Sequence, residues 1–145
     1  MYNVNTQRIE EILTYIDHSL LPSLQAIMQS GKQELLGDSI AVFAAERIVH
    51  LFIEGMTDVG NFLIDGFIMR DPGSYEDIVD IMEDEGVYTT EQAVAFKDIV
   101  LLRKDLVQNY TVSIHERLYD VYAEHSNVMT TYTSLIRSYL KKELW

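Results

Sequence analysis

The fold is decided by one long stretch, Ser39–Phe67, which reads SIAVFAAERIVHLFIEGMTDVGNFLIDGF. Asp38 or Ser39 can cap a helix at its start, and no proline interrupts it. At 1.5 Å per residue, this helix would be roughly 45 Å long. Its apolar side chains cover a wide arc, which predicts the central and most buried helix of the fold. They are Ile40, Phe43, Ala44, Ile48, Leu51, Phe52, Met56, Val59 and Phe62.

Helical periodicity continues on both sides of this stretch, and no segment alternates apolar and polar residues as a half-buried strand would. Pro22 lacks a backbone donor, so we predict a kink or break near residues 19–21 of the first helix. The sequence therefore predicts a single all-α domain over residues 1–145, an antiparallel bundle of four to five helices. Besides the central helix, the predicted helices run from about Thr6 to Gln29, from Ser74 to Gly86, from Thr89 through Tyr110, and from Ile114 onward.

A row of polar side chains follows one side of the central helix. Glu46, His50, Glu54 and Asp58 are each four residues apart, so they share a face. The row could face a cleft, or it could be an ordinary polar face with one interior partner. Helical di-metal sites use Glu-x-x-His in two copies, which is absent here. We therefore expect neither a metal site nor a cofactor.

One charged side chain, Arg103, falls within the apolar stripe of the helix predicted to end at Tyr110. A guanidinium among core-facing neighbours destabilises the fold unless it is paired or opens onto a cleft. It could be a structural arginine paired with Glu54, Asp58 or a second subunit, or an anion-binding arginine at the base of a groove. The stripe residues at steps of three and four are Phe96, Val100, Val107 and Tyr110.

The net charge of −12 argues against broad non-specific binding to nucleic acid, which depends on a basic surface. Between Asp71 and Glu91 there are eight acidic residues and no basic one. RNA would therefore bind only in a locally positive groove, with Arg103 and Lys104 as contributors. There is no cysteine, and no uncharged apolar run approaches the roughly 18 residues of a membrane span. We expect a cytoplasmic protein without membrane contact.

Three stretches together resemble the HepT-like branch of the HEPN superfamily. Arg70-Asp71-Pro72-Gly73-Ser74-Tyr75 is close to the connection Arg-x-Pro-x-Ser-Tyr of that family. The segment from Arg103 to Tyr110 has the frame of its signature, which is Arg, four to six residues, His, one residue and Tyr. The third is the long helix before the Pro-Gly turn, rich in small and acidic residues at 54–60. The similarity spans nearly the whole chain.

The resemblance implies a ribonuclease toxin that pairs with a nucleotidyltransferase (MNT) antitoxin, as in HepT/MntA-type modules, and that can receive AMP on the motif tyrosine. Arg103 would bind phosphate, and Tyr110 would be the modified residue. Two positions depart from the family pattern: Gln108 replaces the histidine, and Lys104 follows the arginine where Asn is common. Glutamine cannot exchange a proton at neutral pH, so metal-independent RNA cleavage is expected to be weak or lost.

Two alternatives to this hypothesis stay open. The protein could be a non-catalytic dimerisation or interaction module, in which Arg103 is held in an intrachain salt bridge with no groove beside it. It could also be an active ribonuclease that uses His50 or His115, which requires one of them within roughly 7 Å of Arg103, a distance that one water can bridge. His125, a lone helical histidine, is expected to be structural or exposed.

The apolar arcs of the central and last helices are larger than one small bundle needs to bury, so we predict a homodimer. In the HepT-like hypothesis, a groove at the subunit junction holds Arg103, Gln108 and Tyr110. Glu54, Asp58 and Lys104 are its supporting residues.

Overall fold

The computed structural model describes residues 2–145, so that Met1 of the predicted domain lies outside the described residues. All regular structure within this range is helical, which confirms the predicted fold class. The five main helical units of the bundle are α1 with α2, α4, α5, α6 and α8, and two short helices join them. The bounds are α1 Thr6–Tyr15, α2 Leu21–Met28, α3 Lys32–Leu36, α4 Ser39–Phe67, α5 Tyr75–Asp84, α6 Thr90–Val100, α7 Arg103–Val107 and α8 His115–Leu144.

Helix α4 is the centre of the bundle, as its sequence predicts. The Asp38 side chain caps it by accepting hydrogen bonds from the backbone amides of residues 40 and 41, both at 3.1 Å. It packs against α1, α2, α3, α5 and α7, and its Phe52 ring lies edge-on to Tyr132 of α8 with centroids 5.8 Å apart. Two predicted core residues are exceptions, since Ile40 is 81 % exposed and Phe43 66 % exposed. They lie on a side of α4 that nothing in residues 2–145 covers.

Pro22 changes the first helix without ending it. Between α1 and α2 the chain forms a π-helical turn, Ile16–Leu20, and the amide of Leu21 donates to the carbonyl of Ile16. This wider turn shifts the hydrogen-bond register just before Pro22, whose ring occupies the first turn of α2, where a missing donor costs little. The predicted irregularity is therefore present as a π turn, and the helix continues through it from α1 into α2. Within residues 2–145, no helix combines the length and hydropathy that crossing a membrane requires.

The connections around α5 begin and end as the sequence predicts. Ser74 caps α5 by accepting from the Asp77 amide at 3.0 Å, and Thr89 and Gln92 form a capping box at α6. Helix α4 is followed by its C-cap Ile68, whose φ of 58° is in the left-handed region that β-branched residues rarely adopt. Its side chain is 79 % exposed. The backbone there is strained, and no burial of the side chain offsets the strain.

Candidate functional site

The helix that carries Arg103 is interrupted just before it. Helix α6 ends at Val100, residues 101 and 102 form a turn, and α7 begins at Arg103. Leu102 is buried while Leu101 is exposed, and the Leu102 amide donates to Ile99 in a tightened turn. The break places Leu102 in the core and directs α7 against α4. Neither glycine nor proline marks it, because core packing and not local propensity decides it.

This break corrects the predicted single helical face that runs from Phe96 to Tyr110. Phe96 and Val100 of α6 are buried in the core, Val107 is half-buried at the end of α7, and Tyr110 is 76 % exposed in the following turn. Asp105 holds this turn by accepting from the Asn109 side chain at 3.0 Å and from Arg117 of α8 at 2.7 Å. The helix predicted to end at Tyr110 therefore ends at Val107.

Arg103 is oriented by two side chains from other helices. Its Nε donates to Glu54 Oε1 of α4 at 2.9 Å, and its Cζ lies 3.9 Å from the centroid of the Tyr75 ring at the start of α5. The Tyr75 hydroxyl donates to the other oxygen of Glu54 at 3.3 Å, which closes a three-residue cluster. The hydrogen bond to Glu54 raises the pKa of Arg103, so its charge is firmly held. The predicted pairing with Glu54 is thus present.

Both terminal nitrogens of Arg103 lack an acceptor within the described residues. Across residues 2–145, no side chain or carbonyl accepts a hydrogen bond from its NH1 or NH2. A groove of about 220 Å³ lies beside the guanidinium. Arg103 therefore forms a salt bridge and also borders a groove. A purely structural arginine would form the salt bridge with no groove beside it. The lining residues are Ser74, Tyr75, Glu76, Val100, Arg103, Lys104 and Gln108.

The structure brings together only some of the other predicted site residues. Lys104 and Gln108 are exposed and line the groove, and Lys104 forms no salt bridge within the described chain. Tyr110 is not among the lining residues, so within one subunit it does not complete the groove as predicted. Asp58 does not contact Arg103; burial, followed by the charge of Glu54, raises the pKa of its carboxyl. The charge of Glu54 therefore affects the titration of Asp58, although Asp58 is not part of the cluster of Arg103, Glu54 and Tyr75.

Two carboxylates of the polar row on α4, Glu46 and Glu54, each contact a histidine. His50 Nε2 lies 3.3 Å from Glu54 Oε1, the atom that also accepts from Arg103 Nε at 2.9 Å. The two nitrogens are therefore no farther apart than the sum of these distances, within the roughly 7 Å that one water can bridge. The chain also folds back after Tyr110, so that His115 Nε2 lies 2.9 Å from Glu46 Oε1.

A second His-carboxylate group joins α6 to α8. His125 is buried, and its Nε2 lies 2.9 Å from Asp98 and 3.8 Å from Glu124. One potential ligand atom from each residue lies within 4.8 Å of the other two, so the three could hold a metal ion. Periodicity along one helix gave no sign of this group, because Asp98 comes from a different helix. Of the two expectations for His125, structural or exposed, the second is excluded, since the side chain is buried against Asp98.

Comparison with known proteins decides the family. A model of the family described as ribonuclease HepT-like matches residues 4–136. The chain belongs to the HepT-like family. This HepT-like chain is 42 % identical over 145 residues to a Bacillus subtilis (strain 168) protein named "Putative RNase YutE", with 99 % of the chain and 95 % of the relative covered. The family suggested by the three sequence stretches is thereby confirmed.

Solved structures agree with this assignment. The cytosolic protein YutE from Bacillus subtilis superposes on the HepT-like chain with a TM-score of 0.87 at 40 % identity, over 99 % of this chain and 96 % of that one. A tri-AMPylated Shewanella oneidensis HEPN toxin, in complex with an MNT antitoxin, gives a TM-score of 0.80 at 16 % identity, over 90 % and 96 % of the two chains. At that identity the second likeness is one of fold.

Proposed function

We propose that this HepT-like protein binds RNA by holding a backbone phosphate at Arg103. The observation that carries the proposal is the state of the guanidinium: Glu54 and Tyr75 fix its orientation, and both terminal nitrogens remain available at the edge of a groove. Two parallel donors match two phosphate oxygens. Lys104 adds a second positive charge to the same groove, although the chain as a whole is acidic.

Gln108 stands in the groove at the position where the family motif has histidine. Its amide can orient a phosphate or a water, but it cannot exchange a proton at neutral pH. We infer that RNA cleavage through the motif position is weak or lost, while phosphate binding persists. Gln108→His restores a proton carrier at that position and is expected to raise cleavage.

We also propose that the protein acts as a homodimer. Ile40 and Phe43 are exposed, and they precede Arg47, His50 and Glu54 at alternating steps of three and four, so all five share one face of α4. A second copy that covers the two apolar side chains at the start of α4 would leave Arg47 and His50 open at the edge of the subunit junction, close to Arg103. Light scattering of Phe43→Glu is expected to give a monomer, whereas Ile68→Glu, a control at an exposed apolar residue at the other end of α4, stays dimeric. A wild-type monomer at micromolar concentration contradicts the proposal.

A nucleotidyltransferase antitoxin is the proposed protein partner. The fold shared with a HEPN toxin that was solved with its MNT antitoxin supports this partner. Tyr110 is the proposed acceptor, and the exposure of its side chain leaves the hydroxyl accessible. In that transfer, the tyrosine oxygen bonds to the α-phosphorus of ATP and pyrophosphate leaves. Mass spectrometry after incubation with a nucleotidyltransferase and ATP should place AMP on wild type and not on Tyr110→Phe. The relative described as cytosolic agrees with a cytoplasmic site of action.

RNA binding is the direct test. A fluorescein-labelled single-stranded RNA of mixed sequence is titrated with wild type, Arg103→Ala and Arg137→Ala, and its binding is followed by fluorescence anisotropy. Arg103→Ala should weaken binding strongly, and Arg137→Ala, which removes an arginine far along α8, should not. Absence of binding by wild type would favour the second candidate, a helical interaction module. The exposed apolar residues on α4 are the observation that supports that candidate.

A further inference from the structure

We propose that His50 is the proton-transfer group of this site, in place of the motif histidine that the chain lacks. The inference rests on the proposed RNA binding at Arg103. His50 and Arg103 contact the same oxygen of Glu54, at 3.3 and 2.9 Å. The proton carrier thus comes from the central helix instead of from the turn after α7.

The hydrogen-bond pattern assigns the state of the imidazole. Arg47 NH1 lies 3.3 Å from His50 Nδ1, and a guanidinium can only donate, so Nδ1 carries the lone pair. The ring hydrogen is then on Nε2, which faces Glu54. Nε2 thus lies near a carboxylate, and the lone pair of Nδ1 is the position at which His50 can act as a general base. When Nδ1 takes a proton, Arg47 must move away from it, and the imidazolium then lies beside the Glu54 carboxylate.

Two arginines flank this pair. Arg47 is exposed and forms no salt bridge within residues 2–145, so its guanidinium is available to an anion. Arg103 offers its two terminal nitrogens beside the groove. His50 does not line the groove beside Arg103. It lies on the α4 face that carries Arg47, so a strand that contacts both arginines passes the imidazole. The contact between His50 Nδ1 and Arg47 is longer than a usual hydrogen bond, so Arg47 can give it up and donate to a phosphate oxygen instead.

The step that this geometry supports is intramolecular transesterification of RNA. The 2′-oxygen bonds to phosphorus while the bond from phosphorus to the 5′-oxygen breaks. The 2′-hydroxyl proton goes to His50 Nδ1, and the departing 5′-oxygen takes a proton from water. The imidazolium then returns its proton to solvent, leaving a 2′,3′-cyclic phosphate and a 5′-hydroxyl. No metal or redox partner is needed, and the charge that develops on phosphorus faces the two arginines.

The test measures binding and cleavage separately in the full-length protein. Cleavage is followed on the labelled mixed-sequence RNA, and binding on the same sequence with 2′-O-methyl riboses, which cannot react. The variants are His50→Ala, His50→Gln, His115→Ala and, as a control at an exposed histidine, His18→Ala. His50→Ala and His50→Gln should lower the cleavage rate about 10²-fold or more with binding unchanged. One limb of the wild-type pH–rate profile should disappear with them, and His115→Ala and His18→Ala should behave as wild type.

Each remaining outcome overturns the proposal in a distinguishable way. Wild-type binding without cleavage removes the role of His50 and leaves the phosphate site intact. Cleavage that depends on His115, or that His50→Gln does not change, removes His50 alone. If wild type binds neither RNA, the proposed function fails together with this inference. Retained binding of 2′-O-methyl RNA by the His50 variants shows that they are folded.

Discussion

Arg137 and Arg103 are both half-buried arginines at helix contacts, and they differ in how many donors the protein uses. The Nε and NH2 of Arg137 donate to Glu10 and its NH1 donates to Asp17, at distances from 2.8 to 3.3 Å. Thr133 adds a hydrogen bond to Asp17 at 2.7 Å. Every nitrogen of Arg137 is engaged, whereas Arg103 uses Nε alone. The first closes the contact between α1 and α8, and the second is held in place with donors to spare.

The difference shows why burial alone is a poor guide to the role of an arginine. A buried guanidinium needs partners because its desolvation is unfavourable, and a structural pair supplies them in full. A binding arginine needs only enough partners to fix its direction. Counting unused donors on an oriented side chain therefore separates the two roles better than its exposure does.

In the comparison of Arg103 with Arg137, the largest expected effect is that one variant loses RNA binding and the other loses stability. Arg103→Ala should weaken RNA binding by roughly 30-fold, since a charge-assisted hydrogen bond contributes about 2 kcal/mol. Arg137→Ala should leave binding unchanged and lower the free energy of unfolding by about 1 kcal/mol, a figure reduced for solvent screening. Anisotropy titration and urea unfolding measure the two quantities. Equal losses of RNA binding in both variants would show that the two arginines do not differ.

A smaller effect is expected from the aromatic ring beneath Arg103. Tyr75→Leu removes the cation–π contact, worth about 0.5–1 kcal/mol, and should weaken RNA binding roughly two- to fivefold. Tyr75→Phe keeps the ring and removes only the hydrogen bond to Glu54, so its affinity should stay close to that of wild type. If the phenylalanine variant loses as much affinity as the leucine variant, the hydroxyl and not the ring orients the arginine.

A third arginine, Arg70, extends the comparison to an exposed arginine paired with a half-buried carboxylate, Asp77. It donates to both oxygens of Asp77, at 2.8 and 2.9 Å. Together with the Gly73 amide, it lowers the pKa of the Asp77 carboxyl to about 2. A lowered pKa means that this stabilisation is complete above the unfolded-state value of about 3.9 and is lost as the pH falls to about 2. Urea unfolding should show the stability difference between wild type and Asp77→Asn shrinking across that interval. A difference that is constant with pH would exclude the pair as its cause.

The smallest expected effect is on the titration of Asp58. Burial raises the pKa of its carboxyl most, and the charge of Glu54 raises it further. Glu54→Gln removes that charge and should lower the pKa of Asp58, although burial keeps it above the ordinary value. NMR titration of the Asp58 carboxyl measures the change. An unchanged pKa would mean that Glu54 does not act on Asp58.

Much of the fold was predictable because its signals are local. The caps at Asp38, Ser74 and Thr89 and the long apolar arc of α4 appear directly in the sequence. The break before Arg103 was not predictable, because Leu101 and Leu102 are good helix formers and only the packing of Leu102 into the core interrupts the helix.

Some features of the candidate site were likewise predictable from local sequence, and others depend on tertiary packing. An isolated charge on one stripe and a row of carboxylates on α4 placed Glu54 among the possible partners of Arg103, with Asp58 and a second subunit, and the structure shows the pair with Glu54. The groove beside Arg103 and the sharing of one Glu54 oxygen by His50 and Arg103 depend on how α4, α5 and α7 meet. No spacing within one helix encodes that meeting. Tyr110 was wrongly placed on the face of Arg103 because the helix ends at Val107.

Ile68 offers a practical opportunity for anyone who makes this protein. A β-branched residue held at φ 58° with an exposed side chain is strained, while glycine adopts this conformation readily. Ile68→Gly should therefore raise the melting temperature, by an amount corresponding to about 1 kcal/mol. Because Ile68 caps α4 nearly three helical turns beyond Asp58, the last residue of the polar row, the stabilised variant provides a background in which damaging variants of the Arg103 cluster can still be purified and assayed.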